Sequence, residues 1–192
     1  MKKQILVISG PTGCGESTIT KAVIERHPGR FARLVTATTR APRGSEQNGV
    51  DYHCMSKEDF LAAEARGEIL EKGYIPNRDT YYGTYGPDLD AKLADGKIVI
   101  ANLQIVGTKY FKEHYDATTI FIEPKDLSEL EGRLRARNPD LPDEEIHKRV
   151  QNAADEIRDE GPYYDYHVVN PNGKLEDAIS EVSAILTKEG YL

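Results

Sequence analysis

The segment Ile5–Thr18, with the sequence ILVISGPTGCGEST, constrains the fold of this chain more than any other. Its apolar run Ile5–Ile8 is typical of a buried central strand in a parallel sheet. Gly10 and Gly15 then have the G-x-x-x-x-G spacing of a loop that wraps around a phosphate group. Glycine lets the backbone approach the phosphate closely, and the helix that follows points free N–H groups at it. The segment therefore predicts a strand, a phosphate-binding loop and a helix in succession.

One residue in this loop departs from the usual pattern. The motif has a lysine before its hydroxyl residue, whereas this chain has Glu16 followed by Ser17. A carboxylate about 4 Å from a phosphate oxygen would oppose binding by about 4 kcal/mol at an effective dielectric constant of about 20, where a lysine would contribute a similar gain. Any function assigned to this loop must therefore account for Glu16.

The composition is that of an ordinary globular protein, and it limits the classes of function. A chain of 192 residues fits one domain, and its net charge of −7 argues against broad binding to nucleic acids or anionic membranes. No stretch approaches the length of a membrane span. Cys14 and Cys54 are too few for a disulfide framework, which favours a reducing compartment. We expect a cytoplasmic protein with no nucleic-acid or membrane partner.

Predicted strands and helices alternate along the chain, which indicates an α/β fold with a mainly parallel sheet. After the first strand, apolar runs predict strands over Arg33–Ala37, Ile69–Tyr74, Lys97–Leu103, Ala117–Glu123 and Tyr166–Val169. Capping residues, stop signals and helical spacing predict helices from Gly15 to before His27 and over Ser56–Arg66, Asp88–Ala94, Leu127–Leu134, Asp143–Arg158 and Leu175–Leu186. Turn-forming residues predict a surface loop or small subdomain over Thr38–Tyr52 and a tyrosine-rich loop over Asn77–Gly86.

Several motifs follow the phosphate loop along the chain. They are Thr36–Arg43 (TATTRAPR), Asn48–Tyr52 (NGVDY), Gly67–Glu71 (GEILE), Tyr82–Thr84 (YGT), the arginines Arg133, Arg137 and Arg149, and Val168–Asn170 (VVN). In these motifs, and along essentially its whole length, the chain resembles the guanylate kinases. The resemblance implies a P-loop nucleoside monophosphate kinase-like α/β fold, in which a parallel sheet with helices on both faces carries a small acceptor-binding subdomain and a helical lid. Within a single domain over 1–192, we expect the core at about 1–36, 96–130 and 160–192, the acceptor-nucleotide subdomain at about 37–90 and the lid at about 131–158.

Two arginines and two tyrosines are candidates for binding the acceptor phosphate. Arg40 and Arg43 lie three residues apart around a proline that favours extended backbone before it. Two guanidinium groups that face one way can grip a phosphate dianion, and the hydroxyls of Tyr52 and Tyr82 can each donate a hydrogen bond to it. The resemblance assigns all four side chains to the phosphate of the acceptor nucleotide. The alternative is a pair of surface arginines beside half-buried loop tyrosines.

The acceptor base is expected to be guanine, which presents N–H donors at N1 and N2 and an acceptor at O6. The resemblance assigns Glu71, Thr36 and Thr84 to these groups, with an exposed strand-end carboxylate as the alternative for Glu71. It also implies an acidic residue where this chain has Gln104, whose amide can accept one N–H but also presents a donor. A site of this kind rejects bases that leave its polar groups unpaired.

The resemblance assigns the donor nucleotide to the phosphate loop and to the lid. With Mg²⁺ held by the Ser17 hydroxyl, ATP would lie against Gly10, Pro11, Thr12, Gly13, Cys14, Gly15, Glu16, Ser17 and Thr18. Phosphoryl transfer depends on positioning and charge neutralisation, so the triphosphate and the transferred group would be gripped by Arg133, Arg137 and Arg149. The alternative for these arginines is a solvated helix surface with i,i+4 pairs. Asn170 would border the adenine, although an asparagine before a proline also suits a turn.

Three departures from the resemblance bear on catalysis. Most relatives have aspartates where this chain has Asn102 and Gln104, so the summed formal charge of these two positions and position 16 stays at −1. This balance suggests the hypothesis that Glu16 takes a metal-facing, catalytic carboxylate role, directly or through water. A second possibility is that an arginine such as Arg137 neutralises Glu16 and supplies the missing cation.

The sequence leaves more than one class of function open. The first is an enzyme, a monomer or homodimer, that converts ATP and GMP into ADP and GDP. The second is a weakly active or inactive module that binds GMP or a phosphorylated partner through the acceptor site. A kinase for another nucleoside monophosphate or small phosphorylated acceptor is the third. The loop glycines, Ser17 and the lid arginines favour an enzyme, whereas Glu16, Asn102 and Gln104 favour the module.

Overall fold

The computed structural model describes residues 3–44 and 46–192 of the chain. Its strands are β1 (Ile5–Ser9), β2 (Phe31–Arg33), β3 (Ala37–Thr38), β4 (His53–Cys54), β5 (Ile69–Ile75), β6 (Thr80–Tyr85), β7 (Ile98–Ala101), β8 (Thr118–Glu123) and β9 (Tyr166–Val169). Its helices are α1 (Glu16–Arg26), α2 (Lys57–Ala65), α3 (Gly86–Ala94), α4 (Ile105–Tyr115), α5 (Leu127–Arg137), α6 (Asp143–Asp159) and α7 (Leu175–Lys188). Short 3-10 turns cover Pro76–Arg78 and Gly161–Tyr163.

The main sheet is parallel, with the strand order β2-β7-β1-β8-β9. β1 lies at its centre, and Leu6, Val7 and Ile8 are fully buried because both faces of the sheet are covered. Strands β1, β7 and β8 end at one edge of this sheet, which is where open α/β sheets bind ligands. The expected α/β fold with helices on both faces is confirmed, and the phosphate loop leaves the sheet at its binding edge.

Side chains of β1 alternate between two hydrophobic cores, one on each face of the main sheet. Leu6 and Ile8 join a core that includes residues of α1, α5 and α7, whereas Ile5 and Val7 pack with Leu89 of α3 and Phe111 of α4. This division explains why the β1 sequence is a continuous apolar run instead of an alternating one. No helix in the described ranges is both long enough and apolar enough to cross a membrane.

A second, smaller sheet has the order β4-β3-β6-β5 and forms most of the region between β2 and α3. β6 is antiparallel to both β3 and β5. Phe60 of α2 is fully buried against this sheet and stacks on Tyr81, with ring centroids 5.5 Å apart. The sheet rests on its own core, which contains Ala37, Phe60, Ala63 and Ile69.

The prediction of a loop over Asn77–Gly86 was wrong, because most of this segment is strand β6. In the structure Gly83 is extended and lies so close to β5 that an added Cβ would be 2.7 Å from the Glu71 carbonyl oxygen. The glycine therefore permits a close approach of two strands.

The prediction of a single strand over Arg33–Ala37 is also wrong, because two short strands of different sheets lie here. Strand β2 of the main sheet ends at Arg33, and strand β3 of the second sheet begins at Ala37. The chain crosses between the two sheets in the intervening residues, where the backbone N–H of Val35 donates to the Asp88 carboxylate at 2.9 Å. Apolar periodicity cannot distinguish one strand from two short ones that belong to different sheets.

Helix α4 was not predicted at all. It begins after Gln104 and buries Gly107, Thr108 and Phe111, a sparse apolar face whose glycine and threonine are weak helix signals. The remaining helices lie close to their predicted positions, and the Ser56 hydroxyl accepts the Asp59 N–H at 3.0 Å as the predicted cap of α2.

Candidate functional site

The backbone of the phosphate loop approaches its neighbours too closely for side chains at two glycines. An added Cβ on Gly10 would lie 2.2 Å from the Ile122 carbonyl oxygen of β8. Gly15 has a φ of +99°, and an added Cβ there would lie 2.6 Å from the amide nitrogen of Asn170. These glycines therefore set both the path of the loop and its contact with the segment after β9.

Arg133 and Asn170 hold the loop from outside and contact each other. Asn170 is buried, and its Nδ2 donates to the Cys14 carbonyl oxygen at 2.8 Å. One Nη of Arg133 donates to the Asn170 carbonyl oxygen at 2.6 Å, the other to the Gly13 carbonyl oxygen at 3.5 Å, and Nε donates to Asn172 Oδ1 at 2.7 Å. Two residues that were predicted to bind the donor nucleotide thus lie together and hold the backbone of the phosphate loop in place.

Glu16 is half-buried at the first position of α1. Burial raises the pKa of its carboxyl group, while the backbone N–H groups of Glu16 and Gly15 and the charge of Arg137 oppose this rise. These backbone groups belong to the part of the loop that would face a phosphate. The Glu16 carboxylate therefore interacts with the anion-binding end of the helix, and Arg137 contributes a compensating charge.

Glu156 of α6 is a second carboxyl group near the loop that the sequence did not single out. Burial, the charge of Glu160 directly after α6, and the charge of Glu16 together raise the pKa of Glu156 to about 7. A carboxyl group that holds its proton near neutral pH marks an unusual environment of the kind found in functional sites.

We expect Glu156→Gln to raise the melting temperature by about 3 °C at pH 8, which corresponds to about 1 kcal/mol for a chain of this size, and to leave it unchanged at pH 4.5. The folded pKa of Glu156 lies above its unfolded value, so the folded state binds more protons and stability falls as pH rises from about 4.5 to about 7. Glutamine removes this penalty at the same volume. Thermal unfolding across pH is the measurement, with Glu181→Gln on exposed α7 as the control. A gain at pH 4.5 as large as that at pH 8 would contradict this expectation.

The other two lid arginines occupy different surroundings. Arg137 is exposed at the end of α5 and makes no side-chain hydrogen bond or ion pair within the described part of the chain. Arg149 is half-buried on α6, and its Nε donates to Glu145 one turn earlier at 3.1 Å. Arg149 therefore forms the i,i+4 pair expected as its alternative role, whereas Arg137 has its guanidinium available.

Asn102 ties the carboxyl ends of two strands together. Its Nδ2 donates to the Ile8 carbonyl oxygen and to Thr20 Oγ1, each at 3.0 Å. An ionised aspartate could not donate to a carbonyl oxygen, so the amide gives this chain a cross-link between β1, β7 and α1. Its Oδ1 is buried and has no hydrogen-bond partner among the described residues.

The predicted acceptor-phosphate residues form a connected cluster. Arg40 Nε donates to the Tyr82 hydroxyl at 2.9 Å, and the Arg40 guanidinium lies 4.7 Å above the Tyr52 ring. The Tyr52 and Tyr82 rings meet edge to face with centroids 6.0 Å apart. Arg43 is exposed, and within the described chain its guanidinium makes no hydrogen bond. The remaining end of Arg40 is held by Glu46, which the sequence had not identified as a site residue.

The predicted base-binding residues Glu71 and Thr84 also meet. The buried Thr84 hydroxyl donates to Glu71 Oε1 at 2.7 Å. Burial raises the pKa of Glu71, while the Thr84 hydroxyl and backbone N–H lower it. Gly107 in the first turn of α4 lies beside this pair, since an added Cβ would be 3.1 Å from Glu71 Oε1.

Thr36 and Gln104 are the two other residues predicted to contact the base. Among the described residues, neither makes a hydrogen bond to Glu71 or Thr84. Thr36 is half-buried between the two sheets, and its carbonyl oxygen accepts the His53 N–H at 2.8 Å. Gln104 is exposed and precedes α4 at the carboxyl end of β7. The sequence missed Gly107 because it missed α4, whose buried residues 107, 108 and 111 have helical spacing.

Within the described ranges, no group of three or more histidine, cysteine, aspartate or glutamate side chains is arranged to hold a metal ion. The phosphate loop offers the exposed Ser17 hydroxyl beside the half-buried Glu16. Mg²⁺ keeps most of its water and is commonly held by one or two protein groups together with substrate phosphates. The donor set of the loop therefore fits a Mg²⁺ ion that arrives with a nucleotide.

Comparison with known proteins agrees with this geometry. Residues 2–189 match the family profile described as guanylate kinase. The chain is 38% identical to a guanylate kinase of Paramagnetospirillum magneticum, over 96% of this chain and 84% of that protein. It is 39% identical to a guanylate kinase of Clostridium perfringens, over 96% and 83%.

Solved structures give the same result. The crystal structure of guanylate kinase from Anaplasma phagocytophilum matches with a TM-score of 0.70 and 29% identity, covering 96% of this chain and 85% of that chain. The SH3-kinase fragment of tight junction protein 3 matches with a TM-score of 0.53 and 10% identity, which shows a shared fold alone. With a family profile over residues 2–189, relatives that match 96% of the chain and a matching structure, the chain belongs to the guanylate kinase family.

Proposed function

We propose that this protein transfers the terminal phosphoryl group of ATP to GMP, forming ADP and GDP. The observation that carries the proposal is the arrangement of β6, where Tyr82 and Thr84 are two residues apart and so share a face. Tyr82 contacts Arg40 at the phosphate end, and Thr84 contacts Glu71 at the base end. Two residues of strand span about 7 Å, a scale on which one nucleoside monophosphate can reach both ends.

On the acceptor side, this arrangement gives each predicted residue a role. Arg40, Arg43, Tyr52 and Tyr82 would bind the phosphate of GMP and orient one of its oxygens for attack. The Glu71 carboxylate would accept guanine N–H groups, with Thr36, Thr84 and Gln104 completing the base contacts. A half-buried carboxylate that is already oriented by a hydroxyl discriminates strongly against bases that cannot donate to it.

On the donor side, the loop residues 10–18 would bind the phosphates of ATP through their backbone. When bound, Mg²⁺ would neutralise charge on these phosphates, and the Ser17 hydroxyl is the group that would hold it. Arg133 would fix the loop next to Asn170 near the adenine. Arg137 and Arg149 would approach the transferred phosphoryl group as the lid closes. The chain would divide into core, acceptor subdomain and lid at the boundaries expected from the sequence.

Glu16 is the departure that this function must accommodate. We propose that Arg137 neutralises it, since the Arg137 charge acts on the Glu16 carboxyl group and the guanidinium is otherwise available. When ATP binds, its phosphate oxygens then replace the Glu16 carboxylate at the loop N–H groups. A metal-facing role for Glu16 is the opposing hypothesis, and the Mg·ATP affinity of Glu16→Gln separates the two.

The proposal is tested by ADP release from ATP and Mg²⁺ with GMP, dGMP, AMP, CMP and UMP in turn. We expect turnover with GMP, with kcat/KM at least about 100-fold above that for AMP, because AMP leaves Glu71 without its N–H partners. Turnover with AMP, CMP or UMP equal to that with GMP would contradict the guanine assignment.

A second candidate function, a module that binds GMP without turnover, is favoured by Glu16 in the loop. It predicts micromolar GMP binding by calorimetry together with no ADP release for any acceptor. For either function we propose a monomer or homodimer that acts in the cytoplasm without nucleic-acid or membrane partners, in keeping with the net charge of −7.

A further inference from the structure

Glu46 binds both arginine positions of the acceptor-phosphate cluster. Its carboxylate accepts from the two Nη groups of Arg40 at 2.6 and 2.9 Å, which is a bidentate contact. It also accepts the backbone N–H of Arg43 at 2.8 Å. The Glu46 N–H in turn donates to the Arg43 carbonyl oxygen at 2.8 Å, so this contact belongs to a closed turn.

These contacts leave the Arg40 guanidinium little freedom. Of its five N–H groups, Nε–H donates to Tyr82, the Nη1 group donates to Glu46 and to the Ala41 carbonyl oxygen, and one Nη2–H donates to Glu46. The plane of the group lies over the Tyr52 ring, and its side chain is only 10% exposed. One Nη2–H remains, on the edge that also carries Nε–H.

The hydroxyl of Tyr82 accepts from Arg40 and therefore keeps its own O–H free to donate. Among the described residues, that O–H, the Tyr52 hydroxyl, the remaining N–H of Arg40 and the guanidinium of Arg43 are donors of the cluster that have no partner. Glu46 itself occupies the opposite end of the Arg40 group. The carboxylate thus holds one edge of Arg40, and on the other edge one Nη2–H remains for an anion, beside the Tyr82 hydroxyl that accepts from Nε–H.

We propose that Glu46 is a positioning residue for the acceptor phosphate, an inference that rests on the proposed function. Glu46 fixes the Arg40 guanidinium so that its remaining Nη2–H and the Tyr82 hydroxyl face the phosphate of GMP. The contact with Arg40 holds the pKa of Glu46 down at about 2, so the carboxylate stays ionised wherever the enzyme is folded and assayed. The competing view is that Glu46 occupies the place of the phosphate and must leave before GMP binds. The two views predict opposite signs for the same substitution.

The experiment is the affinity of Glu46→Ala for GMP and for guanosine by calorimetry, together with steady-state kinetics. We expect the Kd and KM for GMP to rise about 10-fold, with kcat at saturating GMP and the KM for ATP within twofold of wild type. Guanosine lacks the phosphate, so its affinity should not change. Glu46→Gln keeps one acceptor oxygen and should rescue part of the loss. Glu58→Ala, an exposed glutamate on α2, is the control.

Each outcome has a defined meaning. A lower Kd for GMP in Glu46→Ala would overturn the proposal in favour of an occupying carboxylate. Equal losses for GMP and guanosine, or no change for either, would also overturn it, because a positioning residue acts through the phosphate alone. Failure of the wild-type protein to bind or turn over GMP would instead reject the proposed function, which separates the two failures.

Discussion

Replacing Glu16 by lysine is expected to raise kcat/KM for ATP about 100-fold at saturating GMP. The substitution changes the charge at the loop by two units, from one that opposes phosphate to one that binds it. A single unit charge about 4 Å from a phosphate oxygen contributes about 4 kcal/mol at an effective dielectric constant of about 20. Because Arg137 already offsets part of the Glu16 charge, we expect a smaller gain of about 2.7 kcal/mol, which is the stated 100-fold.

The Glu16→Lys measurement needs two companion variants. Glu25→Lys makes the same change of charge at the exposed far end of α1, and it should leave kcat/KM for ATP within twofold of wild type. Glu16→Gln removes only the repulsion and should give an intermediate gain in Mg·ATP affinity. A loss of Mg·ATP affinity in Glu16→Gln, with a loss of activity in Glu16→Lys, would support the metal-facing role and contradict neutralisation of Glu16 by Arg137.

Replacing Glu71 by glutamine is expected to lower kcat/KM for GMP about 100-fold and to leave kcat/KM for AMP within threefold. The carboxylate can accept from both guanine N1–H and N2–H, whereas an amide offers one oxygen and places a donor against the other group. A buried polar group left without its partner lowers affinity by about 1–3 kcal/mol, consistent with a loss of this size. We therefore expect the selectivity for GMP over AMP to be largely lost.

Glu58→Gln is the control for this prediction, because Glu58 is exposed on α2 at the edge of the same small sheet region. Melting temperatures of both variants show whether the hydrogen bond from Thr84 contributes to folding as well as to selectivity. Equal losses of kcat/KM for GMP and AMP in Glu71→Gln would mean that the residue supports the structure and does not read the base.

The parts of the fold that sequence reasoning predicted are those with strong local signals. The buried run of β1, the glycines of the phosphate loop and the Ser56 cap each impose a local conformation, and the structure confirms all three. The missed elements depend on contacts between distant segments. The segment Asn77–Gly86 was predicted as a loop because nothing nearby in sequence shows that β5 packs against Gly83.

The residues of the candidate site likewise divide into those that motifs predicted and those that depend on contacts between distant segments. Arg40, Tyr82, Glu71 and Thr84 could be grouped from motifs, and their hydrogen bonds in the structure agree with that grouping. The roles of Glu46, Gly107 and Glu156 could not be foreseen from the sequence. Glu46 makes a bidentate contact with Arg40 that no motif indicates, and the position of Gly107 depends on the unpredicted α4. The raised pKa of Glu156 follows from burial beside two other carboxyl groups.

We claim that this chain, with a glutamate in its phosphate loop, still catalyses phosphoryl transfer to GMP. Phosphorus NMR of wild-type protein with ATP, Mg²⁺ and GMP follows ADP and GDP directly, and the Arg43→Met variant prepared in parallel controls for a contaminating kinase. We predict that ADP and GDP appear in equal amounts at a rate proportional to wild-type protein, and at least about 100-fold more slowly with Arg43→Met. Calorimetric binding of GMP without GDP formation, or equal rates in the two preparations, would contradict the claim.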